Sequence, residues 1–262
     1  MNGTSPKLLR LIPLIIVFLT ALACTAIAQD NQTLIKKAEG GDPEQQFHIG
    51  VAYANGEGVP KDFNEAAKWW QKAAEQGHTG AQFNLGIAYE RGQGVPQDYD
   101  ESMKWYRKAA EQGLAEAQNN LGIAYDRGQG VPKDYAEAAK WWQKAAEQGV
   151  AEAQNNLGIA YYKGQGVPKD FNEAAKWWQK AAGQGHAGAQ CNLGIYYDDG
   201  QGVPQDYLLA YFWWSLATAG NTGEVYNRCV NYRDRAARQL TPEQLEKAQQ
   251  MTREWDAKHP RQ

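Results

Sequence analysis

Few side chains in this sequence have the type and spacing that catalysis or metal binding requires. After residue 28 the sequence contains two serines, Ser102 and Ser215, and neither begins a Ser-x-x-Lys motif. None of the four histidines has a His, Cys or carboxylate partner at a spacing that predicts a metal site. These histidines are His48, His78, His186 and His259. We therefore predict no catalytic activity, no cofactor and no metal.

The elements that would position any functional side chain repeat along the chain every 36 residues. The tripeptide Gly-Val-Pro occurs five times at this step, at Gly58, Gly94, Gly130, Gly166 and Gly202. An aromatic pair keeps the same step, as Trp69-Trp70, Trp105-Tyr106, Trp141-Trp142, Trp177-Trp178 and Trp213-Trp214. A fixed period without insertions indicates one supersecondary unit stacked on itself.

Each repeat is predicted to be a pair of helices, A and B. In the third copy, apolar and small residues recur over 115–125 at three- and four-residue intervals, which is typical of an amphipathic helix A. Gly128 and Pro132 then end that helix. Asp134 is the predicted N-cap of helix B, and Glu137 the second half of a capping box. The aromatic pair of helix B is predicted to be core.

Residues 1–28 are predicted to be a secretory signal peptide. Lys7 and Arg10 precede an apolar run of about a dozen residues, which is too short to cross a bilayer as a helix. A small-x-small pattern predicts cleavage after Ala28, while a lipoprotein-like pattern ending at Cys24 leaves a lipid anchor as the alternative. We therefore expect an exported protein, periplasmic or secreted, without a membrane span.

The charge of the chain argues against some classes of partner. Removing residues 1–28 takes away two of the 27 basic residues and none of the 30 acidic ones, which changes the formal net charge from −3 to −5. A mildly acidic surface is not expected to bind nucleic acid or anionic lipid.

The predicted domain order follows from the 36-residue shift. Residues 29–41 align with the end of a helix B and are predicted to be an N-terminal capping helix. Residues 42–220 form five repeats, and 221–262 form C-terminal capping helices with a tail. Two helices are expected there, over 224–239 and from Thr241 to about Trp255, with Thr241 and Gln244 forming a capping box.

The repeat resembles the Sel-like repeat, a relative of the tetratricopeptide repeat. The resemblance lies in Ala-Gln-x-x-Leu-Gly-x-x-Tyr-x-x-Gly-x-Gly-Val-Pro-x-Asp-Tyr/Phe followed by a Trp-containing helix and Ala-Ala-x-Gln-Gly, and it covers 42–220. It implies an all-α, right-handed solenoid of about five helix-turn-helix repeats, with the A helices lining a concave surface. It also implies an exported bacterial adaptor. The recurrent cysteines of the cysteine-rich branch of this family are absent here.

The same resemblance implies which side chains face a partner. In tetratricopeptide geometry, positions 2, 5, 9, 12 and 13 of helix A line the groove, and position 2 of the third copy is Glu116. Position 5 gives Phe47, Phe83, Asn119 and Asn155, and position 9 gives Ile87, Ile123 and Ile159. Positions 12 and 13 give Glu90, Arg91, Asp126, Arg127, Tyr162 and Lys163. We predict an apolar floor with the two phenylalanines at one end and charges along one edge, suited to a peptide. Packing and solvation are the alternative interpretation of these residues.

Two further patterns are predicted to be structural. The repeated Asn84, Asn120, Asn156 and Asn192 are expected to bridge to neighbouring backbone. Cys191 lies on the last helix A and Cys229 near the equivalent position of the following capping helix, so a disulfide is predicted to pin this cap.

Together these features predict a scaffold or adaptor that binds a protein or peptide. Some cysteine-rich relatives are associated with binding or hydrolysing β-lactams, so an envelope enzyme acting on β-lactam or peptidoglycan-like substrates is the alternative.

Overall fold

The computed structural model describes residues 33, 35–219 and 223–259. Every regular element in these ranges is a helix, as predicted. The predicted signal peptide, its cleavage patterns and Cys24 lie outside the described residues. The chain divides into two compact units, and their boundary in the sequence falls between Gln112 and Gly113.

The first unit contains a short helical segment and two helical hairpins. Residues 35–39 are helical. The four helices that follow are α1 (Pro43–Asn55), α2 (Phe63–Glu75), α3 (Thr79–Arg91) and α4 (Tyr99–Glu111). Each helix packs on the next one in the chain. In the repeats, α1 and α3 are the A helices, and α2 and α4 are the B helices.

The second unit contains three hairpins and two further helices. They are α5 (Ala115–Arg127), α6 (Tyr135–Glu147), α7 (Ala151–Lys163), α8 (Phe171–Gly183), α9 (Ala187–Asp199), α10 (Tyr207–Thr218), α11 (Glu224–Ala237) and α12 (Pro242–Lys258). Here α5, α7 and α9 are A helices, and both α11 and α12 pack on α10. The predicted helix over 224–239 ends two residues early, and the last helix continues three residues past Trp255.

The two tryptophans of a pair join different helices. In α8, the ring of Trp178 lies against Gly158 of α7 and closes its own hairpin. Its neighbour Trp177 belongs to the core cluster of the preceding repeat, together with Trp142. The ammonium group of Lys180 lies 3.8 Å from the centroid of the Trp177 ring. Because one pair serves two repeats, a hairpin buries its aromatics fully only with a neighbour.

The structure corrects the prediction that helix B begins with a capping box. The carboxylate of Asp134 accepts hydrogen bonds from the backbone N–H groups of Ala136 and Glu137, as an N-cap should. The backbone N–H of Asp134 is already used, because it donates to the carbonyl of Tyr125 at 3.0 Å. The Glu137 side chain instead pairs with Lys140 at 3.1 Å. Only the capping box predicted at Thr241 is confirmed among the described helices.

Buried glutamines, which the sequence patterns did not predict, connect successive helices. Gln154 of α7 donates from Nε2 to the carbonyl of Ala146 in α6, at 3.1 Å. Its Oε1 accepts a hydrogen bond from Gln184 at the end of α8, at 2.9 Å. Gln118 and Gln148 form the equivalent contact one repeat earlier. These bonds add a partner to polar groups at the helix ends and connect each hairpin to the next.

Candidate binding groove in the second unit

A groove with a volume of about 670 Å³ lies between α7, α9 and α11. Its lining consists of Glu152, Asn155, Ile159, Tyr162, Lys163, Trp178, His186, Ala187, Gly188, Asn192, Ile195, Val225 and Arg228. The A helices contribute most of these side chains, and four of them were predicted from helix A positions. We call this cavity the α7–α11 groove.

The floor of the α7–α11 groove is apolar. Ile159 and Ile195 occupy position 9 of two successive A helices, and Val225 of α11 continues the surface beyond the repeats. The edge of Trp178 closes the floor, and its Nε1 donates to the carbonyl of Asn155 at 3.2 Å. The three aliphatic side chains are half-buried, so they can contact a ligand while remaining packed in the protein.

A histidine and a glutamate form one wall. His186 is the N-cap of α9, and its Nδ1 accepts a hydrogen bond from the backbone N–H of Ala189 at 3.1 Å. The other ring nitrogen therefore carries the hydrogen of the neutral ring, and it donates to Glu152 at 2.8 Å. This hydrogen bond lowers the pKa of the Glu152 carboxyl, although burial acts in the opposite direction. The sequence patterns did not predict this contact, because Glu152 and His186 are 34 residues apart.

Two hydrogen bonds join α7 to α9 around the groove. The hydroxyl of Tyr162 donates to Asp199 at 2.7 Å. Burial and this hydrogen bond raise the pKa of Tyr162 to about 12, so the hydroxyl remains a donor at neutral pH. Asn192 donates from Nδ2 to Oδ1 of Asn155 at 3.0 Å. The bond from Asn192 thus runs to a side chain, whereas we predicted one to backbone.

The groove lining contains two cationic side chains that have no described ion-pair partner. Lys163 and Arg228 are both exposed, and neither forms an ion pair with a residue that the structure describes. Glu152, the carboxylate of the lining, is engaged by His186, and Asp199 by Tyr162. The lining of the α7–α11 groove therefore carries two cations against one carboxylate, beside an apolar floor.

A smaller cavity of about 250 Å³ lies between α5 and α7. Ile123, Asp126 and Arg127 from α5 line it, and it shares Ile159 and Lys163 with the α7–α11 groove. The structure thus brings together the predicted residues at positions 9 and 13 of both helices and at position 12 of α5. Asn119 is different, because only 7% of its surface is exposed and its Oδ1 has no described partner.

The predicted residues of the first unit have local roles. The ring of Phe47 stacks on His78, with centroids 4.5 Å apart, and Phe83 contacts Tyr106 at 5.8 Å. The carboxylate of Glu90 accepts a hydrogen bond from the Tyr106 hydroxyl at 2.7 Å. Ile87 is half-buried and Arg91 is exposed at the end of α3. Each of these residues lies in a unit different from that of the α7–α11 groove.

A disulfide joins two helices that line the groove. Cys191 of α9 and Cys229 of α11 are bonded, with their Cα atoms 6.0 Å apart. Both cysteines are fully buried, next to Trp214. Arg228 immediately precedes Cys229, and Asn192 immediately follows Cys191, so the bond joins the two helices that carry these lining residues.

Neither serine is placed as a nucleophile. The buried hydroxyl of Ser102 donates to the carbonyl of Gly86 at 2.8 Å, and Ser215 donates to the carbonyl of Tyr211 at 2.8 Å. Within the described residues no cluster of three His, Cys, Asp or Glu side chains is arranged for a metal. Among the described helices, none is both long and apolar enough to cross a membrane. Nothing in this arrangement supports the alternative of an enzyme acting on β-lactam or peptidoglycan-like substrates.

Comparison with known proteins supports the fold and the repeat. The family model for the Sel1 repeat matches residues 44–78, 79–114, 115–150, 151–186 and 187–221. A solved Sel1 repeat protein from Oxalobacter formigenes is 32% identical, with a TM-score of 0.74, over 90% of this chain and 95% of that chain. No curated protein sequence gives a significant match.

A second solved structure is a protective antigen present in uropathogenic Escherichia coli strains and displaying an SLR fold. It is 32% identical, with a TM-score of 0.69, over 89% of this chain and 57% of that chain. This chain therefore spans little more than half the length of that relative. The matches confirm the predicted fold class, an all-α solenoid of about five 36-residue repeats, and its place in the tetratricopeptide-like superfamily. This chain belongs to the Sel1 repeat family.

Proposed function

We propose that this chain is an exported scaffold that binds a protein or peptide partner through its A helices. Sel1 repeat proteins are generally protein-interaction scaffolds. The observation that supports a binding face here is the α7–α11 groove, where a half-buried apolar floor lies beside cations that no described carboxylate neutralises. Apolar anchors surrounded by polar groups are typical of peptide recognition.

Site-specific photocrosslinking tests this proposal. The photoreactive residue p-benzoylphenylalanine would replace Ile159 on the groove floor and, as a matched control, Arg253 on the exposed side of α12. We expect the Ile159 position, but not the Arg253 position, to crosslink a partner in the organism of origin. Mass spectrometry of the adduct would identify that partner. Equal crosslinking at both positions, or crosslinking at Arg253 alone, would contradict binding through the A helices.

The proposal that this protein is exported is based on residues 1–28. Their basic start, short apolar run and small residues before Gln29 are typical of a cleaved signal peptide. Intact mass measurement of the protein from its native host should give a chain that begins at Gln29. A lipid-modified chain that begins at Cys24 would indicate a membrane-anchored protein in place of a secreted one. An unprocessed chain that begins at Met1 would contradict export.

A further inference from the structure

We infer that the α7–α11 groove binds an acidic peptide segment, with an apolar side chain on its floor and carboxylates against Lys163 and Arg228. This inference rests on the proposed function and adds the chemistry of the partner. Three features of the groove support it: its charge, its free polar groups and the way in which α11 completes it.

The formal charge of the groove lining has the opposite sign to the net charge of the whole chain. The formal net charge of the chain is −3, yet the lining contains Lys163 and Arg228 without described ion-pair partners. The one lining carboxylate, Glu152, accepts a hydrogen bond from His186, and this bond lowers its pKa. The lining therefore carries two cations against one carboxylate, which favours a negative ligand over a basic one.

A buried amide supplies a further contact for a peptide. Asn155 lines the groove although only 7% of its surface is exposed, and its Oδ1 accepts a hydrogen bond from Asn192. No described residue accepts from its Nδ2, which leaves a donor for a peptide carbonyl. The apolar floor of Ile159, Ile195 and Val225 lies beside this amide and suits one aliphatic or aromatic side chain.

Helix α11 completes the groove, and the disulfide holds it there. Arg228 and Val225 are the groove residues that come from outside the repeats. The bond from Cys229 to Cys191 fixes α11 against α9, so the distance between Arg228 and the α9 wall does not depend on side-chain packing alone. A preorganised cation loses less conformational freedom when a ligand binds.

Peptide selection tests the chemistry without knowledge of the natural partner. The full chain would select binders from a random peptide display library, in parallel with Lys163→Glu/Arg228→Glu. A matched control, Lys247→Glu/Arg253→Glu, makes the same change in charge on exposed positions of α12. We expect peptides from the unmodified chain and from the control to contain Asp or Glu on either side of an apolar residue. This enrichment should disappear with the groove variant.

The strongest selected peptide would then be labelled and titrated by fluorescence anisotropy. We expect its dissociation constant to rise about tenfold or more for the groove variant and to stay within about twofold for the control. Its affinity should also fall as salt concentration increases. Circular dichroism of both variants checks that the helices are retained.

Four outcomes would overturn the inference. Selected peptides that are neutral or basic, acidic enrichment that survives the groove variant, or an absence of any selected binder each contradict an acidic ligand. Self-association lost only in the groove variant, measured by sedimentation, would assign the groove to a second copy of the chain. The photocrosslinking result at Ile159 is independent of ligand charge, so it separates failure of this inference from failure of the proposed function.

Discussion

At the scale of single residues, each hairpin packs an aromatic ring against a glycine, a tryptophan in four hairpins and Tyr106 in the other. A Cβ atom at Gly158 would lie 2.5 Å from Cδ1 of Trp178, and the aromatic residues of the other hairpins crowd Gly50, Gly86, Gly122 and Gly194 in the same way. Glycine in the interior of a helix normally costs stability relative to alanine. Its recurrence here follows from the space that the ring requires.

We therefore expect Gly158→Ala to destabilise the protein by about 1–3 kcal/mol, because the added methyl group overpacks the contact with Trp178. Gly183 provides a matched control near the end of α8, since a Cβ atom there would meet nothing within 4 Å. Gly183→Ala should stabilise the protein by about 0.5–1 kcal/mol through lower chain entropy. Urea denaturation measures both changes, and shifts of the same sign would contradict this account.

A second prediction at this scale concerns Glu152 and pH. The hydrogen bond from His186 holds the pKa of this carboxyl below its ordinary value, so the folded chain binds fewer protons there than the unfolded chain. The stabilisation is therefore complete above the ordinary carboxyl range and is lost as the pH falls through the lowered pKa. Because the side chain is half-exposed, we expect Glu152→Gln to cost less than about 1 kcal/mol at neutral pH.

Thermal unfolding across a pH series checks this prediction. The difference between the unmodified chain and Glu152→Gln should shrink as the pH is lowered. The control is Glu254→Gln on the exposed side of α12, which removes a carboxylate that accepts a hydrogen bond from Gln250. A Glu152→Gln effect that stays constant with pH would show that the substitution acts through something other than this ionisation.

At the scale of helices, the buried glutamines determine how one hairpin is joined to the next. Replacing Gln154 with Leu removes the donor to the Ala146 carbonyl and the acceptor for Gln184. The Ala146 carbonyl still accepts from the backbone N–H of Gly149, so the loss is that of two hydrogen bonds, about 1–3 kcal/mol. Gln250→Leu removes an exposed hydrogen bond on α12 and should change stability by no more than about 0.5 kcal/mol. Comparable urea midpoints for the two variants would contradict a structural role for Gln154.

Helix ends show what sequence reasoning could and could not provide. Glycine, proline and aspartate act within a few residues of themselves, so the start of α6 after Asp134 followed directly from the sequence. The absent capping box depends on Tyr125, whose carbonyl takes the Asp134 N–H across the turn between the helices. The residues around Asp134 do not indicate that its backbone N–H already donates to the Tyr125 carbonyl. The glutamine contacts were missed for the same reason, because Gln184 and Gln154 are 30 residues apart.

The groove was predictable to a similar extent. Four lining residues were found because they occupy fixed positions in a repeated helix: Asn155, Ile159, Tyr162 and Lys163. Glu152 occupies position 2, a groove position in the same scheme, and could have been included. Val225 and Arg228 were missed because α11 follows the repeats and has no periodic pattern that would orient it; the neighbouring Cys229 was the signal that placed this helix near α9.

At the scale of the whole molecule, a stack of repeats distributes stability through contacts between neighbours. The disulfide acts at one end of the stack in the second unit, where it joins α9 to α11 across 38 residues of sequence. Non-reducing mass mapping should recover Cys191 and Cys229 in one linked peptide pair. Recovery of two free thiols would remove the basis for the following prediction.

Replacing both cysteines with serine should cost about 2–4 kcal/mol, because the unfolded chain regains conformations that the crosslink excluded. The loss should not be uniform. Helix α11 packs on α10 and, through the disulfide, on α9, so hydrogen exchange should accelerate most in α11 and less in α9 and α10. Exchange in α5 and α6, two repeats away in the same unit, should remain close to that of the unmodified chain. Equal acceleration in α6 and α11 would mean that the unit unfolds as one cooperative body, and the nearest-neighbour description would then be wrong for it.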